Sequence, residues 1–124
     1  MSNTIFLCVG AAIPIVWGVA HLSATASVVN GFGEISQDNR RIITMEWIME
    51  GLLLVFIGAV VLAAAIIDRS GAIARWVFRL SFLMLNIMSA VSLFTGFRVS
   101  FLPFRLCPIL FTASSILIIL GTYL

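Results

Sequence analysis

Residues 44–67 read TMEWIMEGLLLVFIGAVVLAAAII, and this stretch decides the fold class. A helix rises 1.5 Å per residue, so roughly 20 residues cross a hydrocarbon layer of about 30 Å, and the stretch is long enough. It also carries two carboxylates, Glu46 and Glu50, one helical turn apart. A carboxylate inside a span is costly and marks a partner or a function. The sole histidine, His21, also lies in an apolar run and is the natural partner.

The rest of the composition agrees with a membrane environment. Of 124 residues, 62% are hydrophobic and 10% charged, with mean hydropathy +1.21. Soluble domains carry about 45–50% apolar and about 25% charged residues, so this chain has too few polar side chains to cover a water-facing globule. All seven basic residues are arginines, and they cluster at 40–41, 69–79 and 98–105, between apolar runs. No basic stripe suggests nucleic acid. The expected partners are the lipid bilayer and either further copies of the chain or a larger membrane complex, and the expected location is the cell (inner) membrane. Ser2, Asn3 and Thr4 supply no positive region for a signal peptide, so the first apolar run reads as a retained span.

Working outward from 44–67, the chain divides into four spans, at about 5–29, 44–67, 74–97 and 108–124. Pro14 lies within the first and is expected to kink it or free a backbone bond near Gly10. Asn30-Gly31-Phe32-Gly33 breaks the helix, and Ser36 is the expected N-cap of the next, with Asp38 in its first turn. Asp68-Arg69-Ser70-Gly71 makes a tight turn. Pro103 is expected to keep the third connection non-helical, with Pro108 opening the last and shortest span. Short connections predict an all-α, antiparallel up-down bundle of four transmembrane helices forming a single domain, with both termini on the same side. Gly51, Gly58 and Ala65 recur every seventh residue and form a small-residue seam for close helix approach. Trp47, Trp76 and Tyr123 fall near span ends, where aromatic belts form. Three arginines on one side against four on the other leave the orientation open.

The candidate site follows from depth. His21 is about eight residues before the end of the first span and Glu50 about nine after Arg41, each roughly 12–13 Å below the same surface at 1.5 Å per residue. On adjacent antiparallel spans the two side chains meet, with Glu46 one turn nearer the mouth. Gly18, Ala24 and Thr25 leave room beside His21, and Trp17 forms a wall one turn deeper. Asn86, Ser89, Ser92, Thr112 and Ser115 occupy the same half of the bundle, with Arg98 and Arg105 at the rim. The pattern predicts a polar half-bundle for ligand binding or proton handling, centred on His21, Glu50, Glu46, Trp17, Thr25, Asn86, Ser89 and Arg98. The bland alternative is a structural polar cluster satisfied by serines and water. His21, Glu46 and Glu50 amount to at most half of the repeated Glu-x-x-His set of di-iron bundles, so no metal is assigned, and these three are the ligands if one binds. The pairs Met45/Met49 and Met84/Met88 suit Cu(I), but methionines more commonly fill cores or face lipid. Cys8 and Cys107 start at opposite surfaces and read as separate thiols. No cofactor and no enzyme class is assigned.

The segments Gly18-Val19-Ala20-His21-Leu22 and Glu50-Gly51, within a four-span plan covering the whole chain, resemble the DoxX-like group of small four-helix membrane proteins. That resemblance implies a link to membrane redox chemistry of sulfur compounds or quinones, carried here by His21 and Glu50 alone. The size is also similar to that of small multidrug resistance transporters, whose essential glutamate lies in the first span; this chain has none there. The leading expectation is a membrane protein that binds a small or lipophilic ligand at the His/Glu pocket. The rivals are a dimeric proton-coupled transporter and a non-catalytic subunit or assembly factor of a membrane complex. Four spans place both termini in one compartment, so tags at the two ends, probed in intact cells, are expected to be accessible together or not at all.

Overall fold

In lipid no water is at hand for backbone N–H and C=O groups, so continuous apolar segments must pair them internally, and helices do so. The computed structural model describes residues 2–124. These form α1 (Ser2–Ser23), α2 (Thr25–Gly31), α3 (Gln37–Asp68), α4 (Ala72–Phe94), a 3-10 turn (Gly96–Arg98) and α5 (Leu102–Tyr123). No strand occurs among the described residues. Four helical segments, Asn3–Ser23, Gln37–Asp68, Ala72–Arg98 and Leu102–Tyr123, are long and apolar enough to cross a membrane, as a multi-pass helical bundle requires.

The first helix is the hub. α1 packs most extensively on α3 and then on α5, α5 packs on α4, and the α3–α4 contact is slighter. Close approach on the α1–α3 side depends on glycine. A Cβ at Gly18 would lie 2.7 Å from the Gly51 carbonyl oxygen, and one at Gly58 would lie 2.5 Å from the Ala11 carbonyl oxygen. The seam of Gly51, Gly58 and Ala65 is buried accordingly. Along this contact Thr4 meets Arg69, Ala11 meets Gly58 and Gly18 meets Gly51. Leu7, Leu54, Val61, Phe78, Leu85, Phe111 and Ile118 fill the core.

Pro14 lies inside α1 and removes the donor that the Gly10 carbonyl would use four residues on. Ser114 of α5 replaces it, its hydroxyl donating to Gly10 O at 2.6 Å. Two boundaries differ from the sequence expectation. The first span is not continuous to Val29; it breaks at Ala24, whose N–H is shared between Ala20 O (3.1 Å) and His21 O (3.2 Å). Ser23 and Thr25 contribute to the break, since their hydroxyls donate to Val19 O and Leu22 O and compete with the regular ladder. The last helix begins at Leu102 rather than Pro108. Pro103 occupies the first turn, where a missing N–H costs nothing, and Pro108 is carried inside the helix. With 22 residues, α5 equals α1 in length, and the two are jointly the shortest spans.

Ser36 caps α3, accepting from Asn39 N at 3.2 Å, and Arg40 ties the preceding loop down by donating to Asn30 Oδ1 (3.1 Å) and Gly33 O (3.2 Å). Gly33 is the one described residue with positive φ (69°). The glycine contact gives a direct test. Gly18→Ala sets a methyl against backbone, which cannot rotate away, and is expected to destabilise the bundle by about 1–3 kcal/mol. Unfolding in detergent checks this, with the exposed Val19→Ala change expected to be near neutral.

Candidate functional site

The break after α1 and the start of the apolar part of α3 together build a small polar site. His21 Nε2 stands 3.6 Å from Glu50 Oε2. The histidine side chain is 6% exposed and the glutamate side chain 40% exposed, so the pair has one buried and one open member. Trp47, one turn before Glu50, lies flat on His21 with ring centroids 3.7 Å apart and planes 11° from parallel. Its indole N–H donates to the His21 carbonyl at 2.8 Å. Phe104 of α5 meets the other side of Trp47 edge-on at 5.6 Å, and Phe101 meets Phe104 at 5.8 Å. An aromatic stack thus runs from α1 through α3 to α5, with the imidazole at its inner end.

At 3.6 Å the His21–Glu50 contact is longer than a hydrogen bond, and His21 Nε2 is buried without a hydrogen-bond partner. Trp17, one turn earlier on α1, turns instead toward α5, where its indole meets the Cys107 thiol. Trp17 packs against the core and lines an open apolar groove of about 290 Å³ that follows α1 from Val9 and is closed by Leu110.

The remaining candidates are dispersed. Glu46 is exposed on α3 and does not join the pair. Thr25 turns back onto Leu22 O (2.7 Å) and borders a separate groove of about 430 Å³ between α2 and Arg40 and Thr44. Asn86 donates to Phe82 O on its own helix at 2.7 Å. Ser89 is buried at the α4–α5 contact, donating to Pro108 O at 3.0 Å and lying 2.8 Å from the Thr112 hydroxyl. Arg98 is exposed at the 3-10 turn. The polar half-bundle expected as one cavity is therefore divided, because most hydroxyl and amide groups satisfy nearby carbonyls. Among the described residues, no three His, Cys, Asp or Glu side chains gather as a metal set, so His21, Glu46 and Glu50 do not form one. Met45 and Met49 are exposed and Met84 and Met88 pack on the core. Cys8 and Cys107 are free thiols.

Trp47, which falls near a span end in the sequence, also covers His21, and its position one helical turn before Glu50 is the sequence signal that could have found this second role. Glu50 immediately precedes the uninterrupted apolar run from Gly51 to Ile67. Glu50 to Arg69 covers about 28 Å of helix, already one hydrocarbon thickness. His21 is two residues from the end of α1. A half-open carboxylate is tolerable near the edge of a layer of that thickness.

Fold and site together define a small, all-helical, multi-pass membrane protein with a histidine–carboxylate pair under an aromatic cover. Compared with known protein families, curated proteins and solved structures, the chain matches none. Because His21 is the sole histidine, its cover is testable by labelling. Trp47→Ala is expected to raise modification of His21 by diethyl pyrocarbonate several-fold. Trp47→Phe, which keeps a ring but loses the donor to His21 O, is expected to cost about 1 kcal/mol of stability and leave labelling low.

Proposed function

We propose that the protein binds a small lipophilic molecule bearing a hydrogen-bonding oxygen, received where α1 meets α3 and α5. One observation carries this reading: His21 Nε2 is buried without a hydrogen-bond partner, 3.6 Å from a half-open Glu50. Leaving a buried polar group unsatisfied costs about 1–3 kcal/mol, a cost that a ligand oxygen removes. Glu50 and His21 fix the polar end, Trp47 holds the imidazole in place, and the apolar groove beside Trp17 suits the hydrocarbon part of the ligand. Glu50 faces outward, so the ligand arrives from the lipid or the headgroup layer and needs no passage through the bundle.

The same reading places the chain in the cell (inner) membrane as an antiparallel up-down bundle with both termini in one compartment. The pairing of Thr4 with Arg69, Leu7 with Gly121 and Arg79 with Tyr123 supports that arrangement. The DoxX-like reading rests on the sequence resemblance of residues 18–22 and 50–51 alone. Gly18 packs on Gly51, and His21 faces Glu50.

The test is extraction and mass spectrometry of small molecules retained by the full chain purified in native-membrane nanodiscs. Wild type is expected to retain a lipophilic species near one per chain. Glu50→Gln keeps shape but removes the ionisable group, and is expected to preserve the helical fold and lower retention about tenfold, one charge-assisted hydrogen bond's worth. His21→Leu strands Glu50 beside an apolar neighbour and is expected to lower both stability and retention. Equal retention by wild type and Glu50→Gln would sink the proposal.

A further inference from the structure

At the opposite end of the bundle, Arg79 of α4 is held between two aromatic rings. Its Nε donates to the Tyr123 hydroxyl at 3.0 Å. Its guanidinium carbon lies 5.5 Å from the Trp76 ring centre and 5.9 Å from that of Tyr123. Trp76 and Tyr123 are themselves exposed. Stacking against rings is how a guanidinium is oriented without being neutralised. Neither terminal nitrogen of Arg79 has a hydrogen bond or ion pair among the described residues. Arg75 lies one turn away, and its Nη1 donates to the Ser70 carbonyl. Neither Arg75 nor Arg79 has a carboxylate partner among the described residues. Two cations one turn apart repel, and an unpaired anion outside the chain relieves the repulsion.

The surroundings indicate what carries that anion. From Arg79 toward the bundle middle, α4 exposes Leu80 and Leu83, and from Tyr123 α5 exposes Leu120 and Ile116. Two apolar stripes therefore lead away from the arginine. From Arg79 through the 3-10 turn at Arg98 the chain covers about 28 Å, one hydrocarbon thickness. That length sets Arg79 at headgroup level, where Trp and Tyr also favour the interface. We infer that Arg79, Arg75, Trp76 and Tyr123 form a binding site for the phosphodiester headgroup of an anionic glycerophospholipid. The two terminal nitrogens of Arg79 donate to the phosphate oxygens as a fork, and Arg75 adds a second positive charge. The rings pack at the level of the acyl esters and the chains follow the exposed leucines.

Native mass spectrometry of the full chain, with phosphatidylglycerol and phosphatidylcholine in competition, tests the site. Wild type is expected to retain phosphatidylglycerol about tenfold more than phosphatidylcholine, as two interfacial arginines would give. Arg79→Gln is expected to reduce that preference below threefold, the share left by Arg75 alone. Tyr123→Phe loses the hydroxyl that orients Arg79 while keeping its ring, and is expected to give an intermediate preference in a fully folded chain. Arg41→Gln, at the other end, is expected to change nothing. Millimolar inorganic phosphate is expected not to displace the lipid; displacement would mean a soluble-anion site. Equal retention of the two lipids, or an Arg79→Gln variant like wild type, would overturn the inference.

Discussion

A carbonyl or ring nitrogen removed from water has to find its partner within the protein, and most of this bundle's polar detail follows from that. Pro14 leaves Gly10 O without its helical donor, and a serine from α5 supplies one. The His21 carbonyl, at the broken end of α1, takes the Trp47 indole N–H. Ser89 closes on Pro108 O, beside a second proline inside a helix. These bonds tie α1 to α5, α3 to α1 and α4 to α5. They give direction and register to contacts that methylene packing alone would leave free to slide, since lipid tails are as apolar as leucine. His21 Nε2 stands out because it departs from this rule.

Much of the architecture was legible in the sequence because one physical signal dominates it. Runs such as Gly51–Ile67 are long and apolar enough to be membrane helices, and the arginines between them mark the breaks. The His21–Glu50 encounter was legible for a related reason. Counting residues back from a shared turn matches depths on neighbouring helices, and the answer is insensitive to errors that shift both counts together.

What the sequence hid depends on side-chain direction. Asn86, Thr25 and Ser115 were grouped by depth, yet each hydroxyl or amide turns to a carbonyl of its own helical neighbourhood. Depth cannot separate that arrangement from a shared cavity. Trp47 looked like a belt residue because belts and site covers occupy the same level of the membrane. Pro103 and Pro108 are both acceptable first-turn residues by themselves. Only the structure shows that the helix begins at Leu102 and carries the second inside α5.

The bond between Ser114 and Gly10 spans 104 positions of chain, and it has a bearing on biogenesis. The helix that packs against both α3 and α5 is synthesised before α5, which carries the hydroxyl completing its proline gap. Until α5 follows, the Gly10 carbonyl has no donor from that serine, and the α1 surface that α5 covers has no partner. The proline gap in α1 is thus closed only when a segment made much later docks on it, which ties the finish of the early helix to the arrival of the late one.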